Sequence, residues 1–151
     1  MHSKAISRLM ARAAAAGFAG VLLLAAIASS RAAEPTLYDD LGGKEGLTKI
    51  VGYAIDSYAV DPRLNGQFDN INYDWLKNRI YLQFCQLTGG PCKYPGRDMY
   101  AAHKGLHIDT AAFDAVVEDL EGAMDKVGVP FRTQNRLLAL LAPMKTKIVN
   151  Q

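Results

Sequence analysis

The chain has 151 residues, of which 50% are hydrophobic and 21% charged, with 13 glycines and 6 prolines. These proportions exclude disordered and collagen-like chains, which have too few apolar residues or far more glycine and proline. The net charge is +2, and Lys4, Arg8 and Arg12 supply three of the 17 basic residues at the start of the chain. Without them, 14 basic residues face 15 acidic ones, so no nucleic-acid partner is expected.

The first 28 residues have the pattern of a secretory signal peptide. A basic start that ends at Arg12 precedes an uncharged, alanine-rich run over 13–28, which is shorter than the roughly 20 residues of a membrane span. Ala26-Ile27-Ala28 has the A-x-A form expected for cleavage after Ala28, with Ala32 and Ala33 as alternative positions. An uncleaved amphipathic anchor is the competing interpretation, but the run has no polar face to lie at an interface.

Three segments are therefore expected: a removable signal peptide over 1–28, a linker over 29–36 and a globular domain over 37–151. The domain is long enough for one hydrophobic core and too short for two domains. Export predicts a periplasmic or secreted location and no stable membrane insertion after the signal is removed.

Helix-breaking residues and apolar spacing predict the first two principal helices of the domain. One runs from Glu45 to Val60 and ends at the Asp61-Pro62 break. The next runs from Tyr73 to Leu87 and is ended by Gly89-Gly90. A loop over 90–99 then leads into a short helical segment over 98–104.

The third principal helix has the clearest periodicity in the chain. Its apolar residues recur at helical spacing: Phe113, Val116, Val117, Leu120, Met124 and Val127. Asp109 or Thr110 can cap its start, and Gly128 ends it. A fourth helix from about Thr133, kinked or ended near Pro143, is expected to bury Leu137, Leu138, Leu141, Met144 and Ile148. With no alternating strand pattern, the predicted fold class is all-α, a bundle or globin-like crossing helix pairs.

The two cysteines of the chain, Cys85 and Cys92, flank a Gly-Gly-Pro turn. In an oxidising compartment a disulfide across this turn is the expected state. Closing so short a loop stabilises a fold by about 2–3 kcal/mol in the chain-entropy model. Two buried free thiols are the alternative, whereas a metal site lacks the second pair of ligands.

Only two histidines remain after the signal, His103 and His107. His103 lies on the short helical segment, where an imidazole can coordinate a metal through one nitrogen while a neighbouring acceptor orients the other. His107 follows four residues later, so the pair could bind zinc or copper if the helix continued, with Asp98 and Asp109 as carboxylate ligands. Loop-forming residues around His107 favour instead an exposed position past the helix end.

An ordered series of short motifs over nearly all of the domain resembles the truncated haemoglobins, the two-on-two helical globins, and most closely their first group. The matching pieces are LYDDLGG at 37–43, AVDPRL at 59–64 with Phe68, GGP at 89–91, YPGRDM at 94–99, AHKGL at 102–106, Ile108 with Phe113, VP at 129–130 and LAP at 141–143. The resemblance implies a two-over-two helical sandwich around haem b, with iron, and a diatomic gas as ligand.

Carried over by position, the resemblance implies a haem site around one axial ligand. His103 matches the proximal iron ligand, and Phe68 matches the aromatic residue on the haem face. Arg79 matches a position from which a basic side chain reaches a haem propionate. The remaining positions line the pocket: Leu76, Ile80, Phe84, Tyr94, Met99, Ala102, Ile108, Phe113 and Val116.

The distal side of this implied pocket departs from well-studied relatives, in which a Tyr and a Gln hydrogen-bond the bound oxygen. The ungapped register places Ile55 at the Tyr position, and Leu76 and Ile80 at the two distal-helix positions. A donor in a dry pocket stabilises partly negative oxygen by about 1–3 kcal/mol, so this pocket is expected to retain oxygen weakly. A local bulge could instead turn one of three nearby tyrosines inward: Tyr53, Tyr58 or Tyr81.

The leading hypothesis is an exported haem protein that binds O2, NO or CO at an iron held by His103. Nitric oxide dioxygenation and peroxidase-like chemistry at the haem are both open. No separate pair of catalytic acid and base residues is visible in the sequence, and no motif identifies a redox partner. Two alternatives from other classes are a haem-free globin-fold binding module and a non-haem metal protein that uses His103 and His107.

Overall fold

The computed structural model describes residues 34–64 and 66–151, and the predicted signal peptide lies outside them. Seven α-helices follow in chain order: α1 Leu37–Asp40, α2 Gly43–Tyr58, α3 Tyr73–Leu87, α4 Met99–His103, α5 Thr110–Val127, α6 Phe131–Leu141 and α7 Lys145–Ile148. Two 3-10 turns, Pro62–Leu64 and Ala142–Met144, link α2 to α3 and α6 to α7. Within the described residues there is no strand, so the predicted all-α class is confirmed. None of these helices is both long and apolar enough to cross a membrane.

Side-chain caps begin four of the helices where the sequence changes from loop to helix, and Thr36 forms the first of them, at α1. Asn72 accepts a hydrogen bond from the backbone of Trp75 at 2.9 Å and starts α3. Asp98 accepts from Ala101 at 3.1 Å and starts α4. Asp109, one of the two predicted caps, accepts from Ala112 at 2.7 Å and starts α5. Each cap satisfies a backbone N–H that has no partner within its own helix.

The core forms where α2 packs on α5, and α3 also packs on α2. From α2 the buried side chains are Leu47, Ile50, Val51, Ala54, Ile55 and Tyr58, and from α5 they are Ala112, Ala115, Leu120, Ala123 and Met124. Three of the five α5 residues are alanines, which allow the two helices to approach closely. Gly46 allows a second close approach, because a Cβ there would overlap the backbone carbonyl of Leu41.

The disulfide predicted between Cys85 and Cys92 is present and joins α3 to the loop before α4. Cys85 is fully buried, and both cysteines belong to or pack against the core. The bridge therefore fixes the loop that carries Tyr94 and leads to His103.

The structure confirms the last predicted helix and its interruption near Pro143. Its first part, α6, begins at Phe131 rather than at about Thr133 and ends at Leu141, and a 3-10 turn precedes α7. The burial of this segment differs from the prediction. Of the five residues expected to be buried, only Leu137 is, and Leu138, Leu141, Met144 and Ile148 are half-buried. Their partial exposure leaves one side of this segment incompletely covered by the rest of the domain.

Candidate functional site

His103 is the last residue of α4, and its imidazole is half-buried. Its Nδ1 lies 2.8 Å from the backbone carbonyl of Met99, one turn earlier. Because a carbonyl only accepts, Nδ1 carries the proton and donates it, which leaves the lone pair of a neutral imidazole on Nε2. This arrangement presents a single oriented nitrogen for coordination to a metal.

His107 is exposed and lies outside any helix, with a φ of 53°. Since α4 ends at His103, the helical spacing that would bring the two imidazoles to one face does not extend to His107. In residues 34–64 and 66–151, no group of three or more His, Cys, Asp or Glu side chains could hold a metal ion. The non-haem metal site considered from the sequence is therefore not assembled in this region.

The other eleven predicted site residues come from six parts of the fold. Phe68 lies in the turns after α2, Tyr94 lies in the loop after α3, and Ile108 lies just before α5, while the rest lie on helices. Those on α3 are Leu76, Arg79, Ile80 and Phe84, those on α4 are Met99 and Ala102, and those on α5 are Phe113 and Val116.

Most of the predicted site residues are less buried than the residues of the core. Phe84 is buried, whereas the other ten are half-buried. Five of them pack directly against core residues: Phe68, Leu76, Ile80, Ile108 and Val116. Apolar side chains that touch the core on one side and remain partly exposed on the other are available to contact an apolar ligand.

Two polar groups in this region fit haem: the oriented imidazole of His103 and the guanidinium of Arg79. The Nε of Arg79 is buried and has no hydrogen-bond partner among the described residues, although its guanidinium lies 5.4 Å from the centroid of the Trp75 ring. A buried N–H without an acceptor costs free energy that a carboxylate would recover. Half-buried apolar side chains, one oriented imidazole nitrogen and one unpaired guanidinium N–H together suit a flat apolar ring that carries iron and carboxylates.

Phe68 is held in position by two tyrosines. Its ring packs on Tyr58 with the ring centroids 5.1 Å apart. The hydroxyl of Tyr73 donates to the backbone carbonyl of Phe68 at 3.0 Å. These contacts fix the aromatic residue that the resemblance places on the haem face.

The three tyrosines that a bulge could turn towards the distal side are occupied elsewhere. Lys126 lies 4.1 Å from the ring centroid of Tyr53, and Tyr58 packs on Phe68. The hydroxyl of Tyr81 lies 3.7 Å from Cys92 Sγ. Burial, followed by the negative charge of Asp119, raises the pKa of Tyr58, so this hydroxyl keeps its proton.

A cavity of about 210 Å³ lies between α3 and the loop that precedes α4. Its lining includes Gln83, Gln86, Tyr94 and Met99. The backbone N–H of Tyr94 donates to Gln86 Oε1 at 2.6 Å, and a Cβ at Gly96 would overlap the Tyr94 ring. Both features fix Tyr94 at the edge of the cavity.

Gln83 is a lining residue that the sequence analysis missed. Leu76, Ile80 and Gln83 stand at i, i+4 and i+7 on α3 and therefore share a face of that helix. Its helical spacing from Leu76 and Ile80 indicates the same face of α3, but its polar amide does not fit the apolar pattern on which the pocket prediction depends.

Comparison with known proteins decides the family. The family model for bacterial-like globins matches residues 36–150. This chain belongs to that family. Group 1 truncated haemoglobin of Mycolicibacterium paratuberculosis is 33% identical to it over 81% of this chain and 90% of the relative.

Solved structures agree with this assignment. The truncated haemoglobin of Tetrahymena pyriformis in its Fe(III) form matches with a TM-score of 0.74 and 26% identity, over 78% of this chain and all of the other. The 2/2 haemoglobin of a Synechococcus species shares the fold, with a TM-score of 0.73 at 24% identity over the same fraction of each chain. The predicted truncated-globin fold is confirmed. Truncated haemoglobins bind haem iron and, through it, gas ligands, so haem b is the expected cofactor of this bacterial-like globin.

Proposed function

We propose that this globin is an exported haem protein that binds a diatomic gas at an iron held by His103, in a pocket with an apolar distal side. The observation that carries the proposal is the hydrogen bond from His103 Nδ1 to the Met99 carbonyl at 2.8 Å. It leaves Nε2 as the coordinating nitrogen and fixes the plane of the imidazole. When bound, haem would supply the iron that takes up the gas.

The chain's own residues then set affinity and access. Arg79 would pair its free Nε with a haem propionate, and Phe68 would pack on the haem face. Ile55, Leu76 and Ile80 would contribute no hydrogen bond on the distal side. A pocket of this kind favours ligands that need little help from a donor, CO and NO, over O2.

Two features support export. The first 28 residues have the organisation of a signal peptide, and the Cys85–Cys92 disulfide is of a kind that persists in oxidising compartments. We propose a periplasmic or secreted location on these grounds. Mass spectrometry of protein recovered outside the cytoplasm should find a chain that begins at Ser29, and an intact Met1 on that protein would contradict cleavage.

The haem ligand is tested by comparing His103→Ala with His107→Ala. The His103 variant should lose most haem affinity and the sharp Soret band, because it removes the oriented nitrogen. The His107 variant is the matched control, since alanine keeps a Cβ at the same positive φ, and it should keep the band. A loss of the band in the His107 variant alone would contradict the assignment, and colourless wild-type protein from haem-replete cells would favour a haem-free binding module.

A further inference from the structure

Three side chains from separate segments meet at one point beside the cavity. The Nε2 of Gln83 on α3 lies 3.2 Å from the sulfur of Met99, the first residue of α4. The same nitrogen lies 3.8 Å from the sulfur of Met144, in the turn after α6. All three side chains are half-buried. One amide is therefore shared by two thioethers.

This contact pairs a strong donor with weak acceptors. A side-chain amide offers two N–H groups, whereas a thioether sulfur accepts hydrogen bonds poorly. A sulfoxide differs, because its oxygen is polar and accepts well. Oxidation of either sulfur would thus create beside Gln83 the acceptor that its amide lacks.

The two sulfurs also differ from the remaining methionine of the described domain in their access to solvent. Met99 borders the cavity of about 210 Å³, which far exceeds the roughly 10–15 Å³ that a water-sized molecule needs. Met124 is fully buried in the core, with 0% exposure. A small oxidant can therefore reach Met99 but not Met124.

We propose that Met99 and Met144 form an oxidant-sensitive modification site, at which hydrogen peroxide converts a thioether to a sulfoxide and the Gln83 amide hydrogen-bonds the new oxygen. The S–O bond forms as the O–O bond of the peroxide breaks, and the sulfur is oxidised by two electrons. The proton on the transferred oxygen passes to the departing hydroxide, which leaves as water.

The site is connected to the haem ligand through the backbone. Met99 begins α4, and its carbonyl is the acceptor for His103 Nδ1 at 2.8 Å. A sulfoxide at Met99 bonded to Gln83 would tie α4 more firmly to α3 on the side that orients His103. Oxidant exposure would in this way act on the position of the proximal helix.

Site-resolved oxidation tests the first half of the proposal. The purified protein is treated with graded hydrogen peroxide, quenched and digested, and each methionine is measured by mass spectrometry. Met99 or Met144 should gain one oxygen at least about tenfold faster than Met124, as expected when susceptibility follows exposure. Equal rates at the three positions would overturn the proposal.

The amide is tested with Gln83→Leu, which removes both donors at similar volume. Thermal unfolding is recorded before and after sulfoxide formation at Met99 and Met144, with Asn78→Leu as a control that removes an exposed amide from the same helix without touching either sulfur. Oxidation should lower the unfolding temperature more in the Gln83 variant than in wild type, because the half-buried sulfoxide has lost its donor. The control should respond to oxidation as wild type does. An equal drop in the Gln83 variant and wild type would show that the Gln83 amide does not hydrogen-bond the sulfoxide oxygen. Methionine sulfoxide reductase should reverse the drop in both proteins.

Discussion

Ile55 stands where the sequence register predicts the family's distal Tyr, and it is 1% exposed on α2. Ile55→Tyr would place a hydroxyl donor where the register puts the family's Tyr. We expect slower oxygen release, by about tenfold for each 1.4 kcal/mol that the new hydrogen bond supplies. Carbon monoxide binding should change less, since it depends little on such a bond.

Ile55→Phe is the matched control for added bulk, because overpacking a core costs about 1–3 kcal/mol by itself. Stopped-flow release kinetics on both variants separate the hydroxyl from the ring. Equal release rates for the Tyr and Phe variants would show that position 55 does not face the bound gas. A six-coordinate ferrous spectrum of wild type without added ligand would contradict an open distal side.

Asp119 on α5 carries a carboxylate whose charged form is disfavoured by burial. Its Oδ2 is buried without a hydrogen-bond partner, and burial, followed by the negative charge of Asp61, raises the pKa of Asp119. The nearby Arg63 is engaged by Asp61 and Glu118. The folded state therefore binds the Asp119 proton more tightly than the unfolded state does, and stability from this group falls as pH rises through the raised pKa.

Asp119→Asn should accordingly raise the unfolding temperature at neutral pH, because a neutral amide costs less to bury than a carboxylate. The gain should shrink as the pH approaches about 4, the ordinary range for aspartate. Glu121→Gln, on the same helix, is a control for the loss of one negative charge. A gain of the same size at both pH values would contradict the linkage.

At the level of elements, the last residues of the chain fasten the segment that follows His103. The backbone N–H of Asn150 donates to the Ile108 carbonyl at 2.8 Å, and the N–H of Gly105 donates to the Gln151 carbonyl at 3.1 Å. Lys145 on α7 also pairs with Asp114 on α5 at 2.7 Å. The two backbone bonds hold the 105–108 loop, which contains the positive-φ residue His107, against residues 150–151, and the ion pair holds α7 against α5.

Deletion of residues 150–151 should therefore loosen the proximal side. Two backbone hydrogen bonds are lost, each with a net value of about 0.5–1.5 kcal/mol, and haem transfer to an acceptor globin should become faster. Gln151→Ala is the control, because it keeps the backbone carbonyl that accepts from Gly105. Unchanged haem transfer in the deletion would mean that α4 is positioned without the C-terminal residues.

Long periodic elements and the short helix α4, expected over 98–104, could be predicted from the sequence. The other single-turn elements could not. α3 has the predicted bounds, because Asn72 caps it and glycines follow it closely. α2 begins two residues earlier than expected, since Gly42 adopts a φ of 85° and the helix starts immediately after it. The one-turn helix α1 and the 3-10 turn after α2 carry no periodicity and depend on local caps, such as the Thr36 and Asp39 capping box. Periodicity alone also does not distinguish the apolar residues of the core from those that remain half-buried.

At the level of the whole molecule, stability has two sources: the packing of the buried core and the covering of the half-buried site residues by a ligand. The contacts between α2 and α5 are fully buried, whereas the predicted haem-lining residues on α3, α4 and α5 are mostly half-buried. Burial of apolar surface contributes about 25 cal/mol per Å², so the half-buried residues contribute less than they could until a ligand covers them. Haem should thus add stability to a fold whose core is already formed.

Haem removal should lower the unfolding temperature while leaving most of the helical circular dichroism intact. A ligand that binds only the folded state raises the free energy of unfolding by about 2.7 kcal/mol at a free concentration a hundredfold above its dissociation constant, so haem titration should restore the temperature progressively. In His103→Ala the haem-free protein should unfold near the haem-free wild type, because the imidazole lies outside the core, but added haem should raise its temperature much less. If haem-free and haem-loaded wild type unfolded at the same temperature, the half-buried residues on α3, α4 and α5 would not be the haem-binding surface.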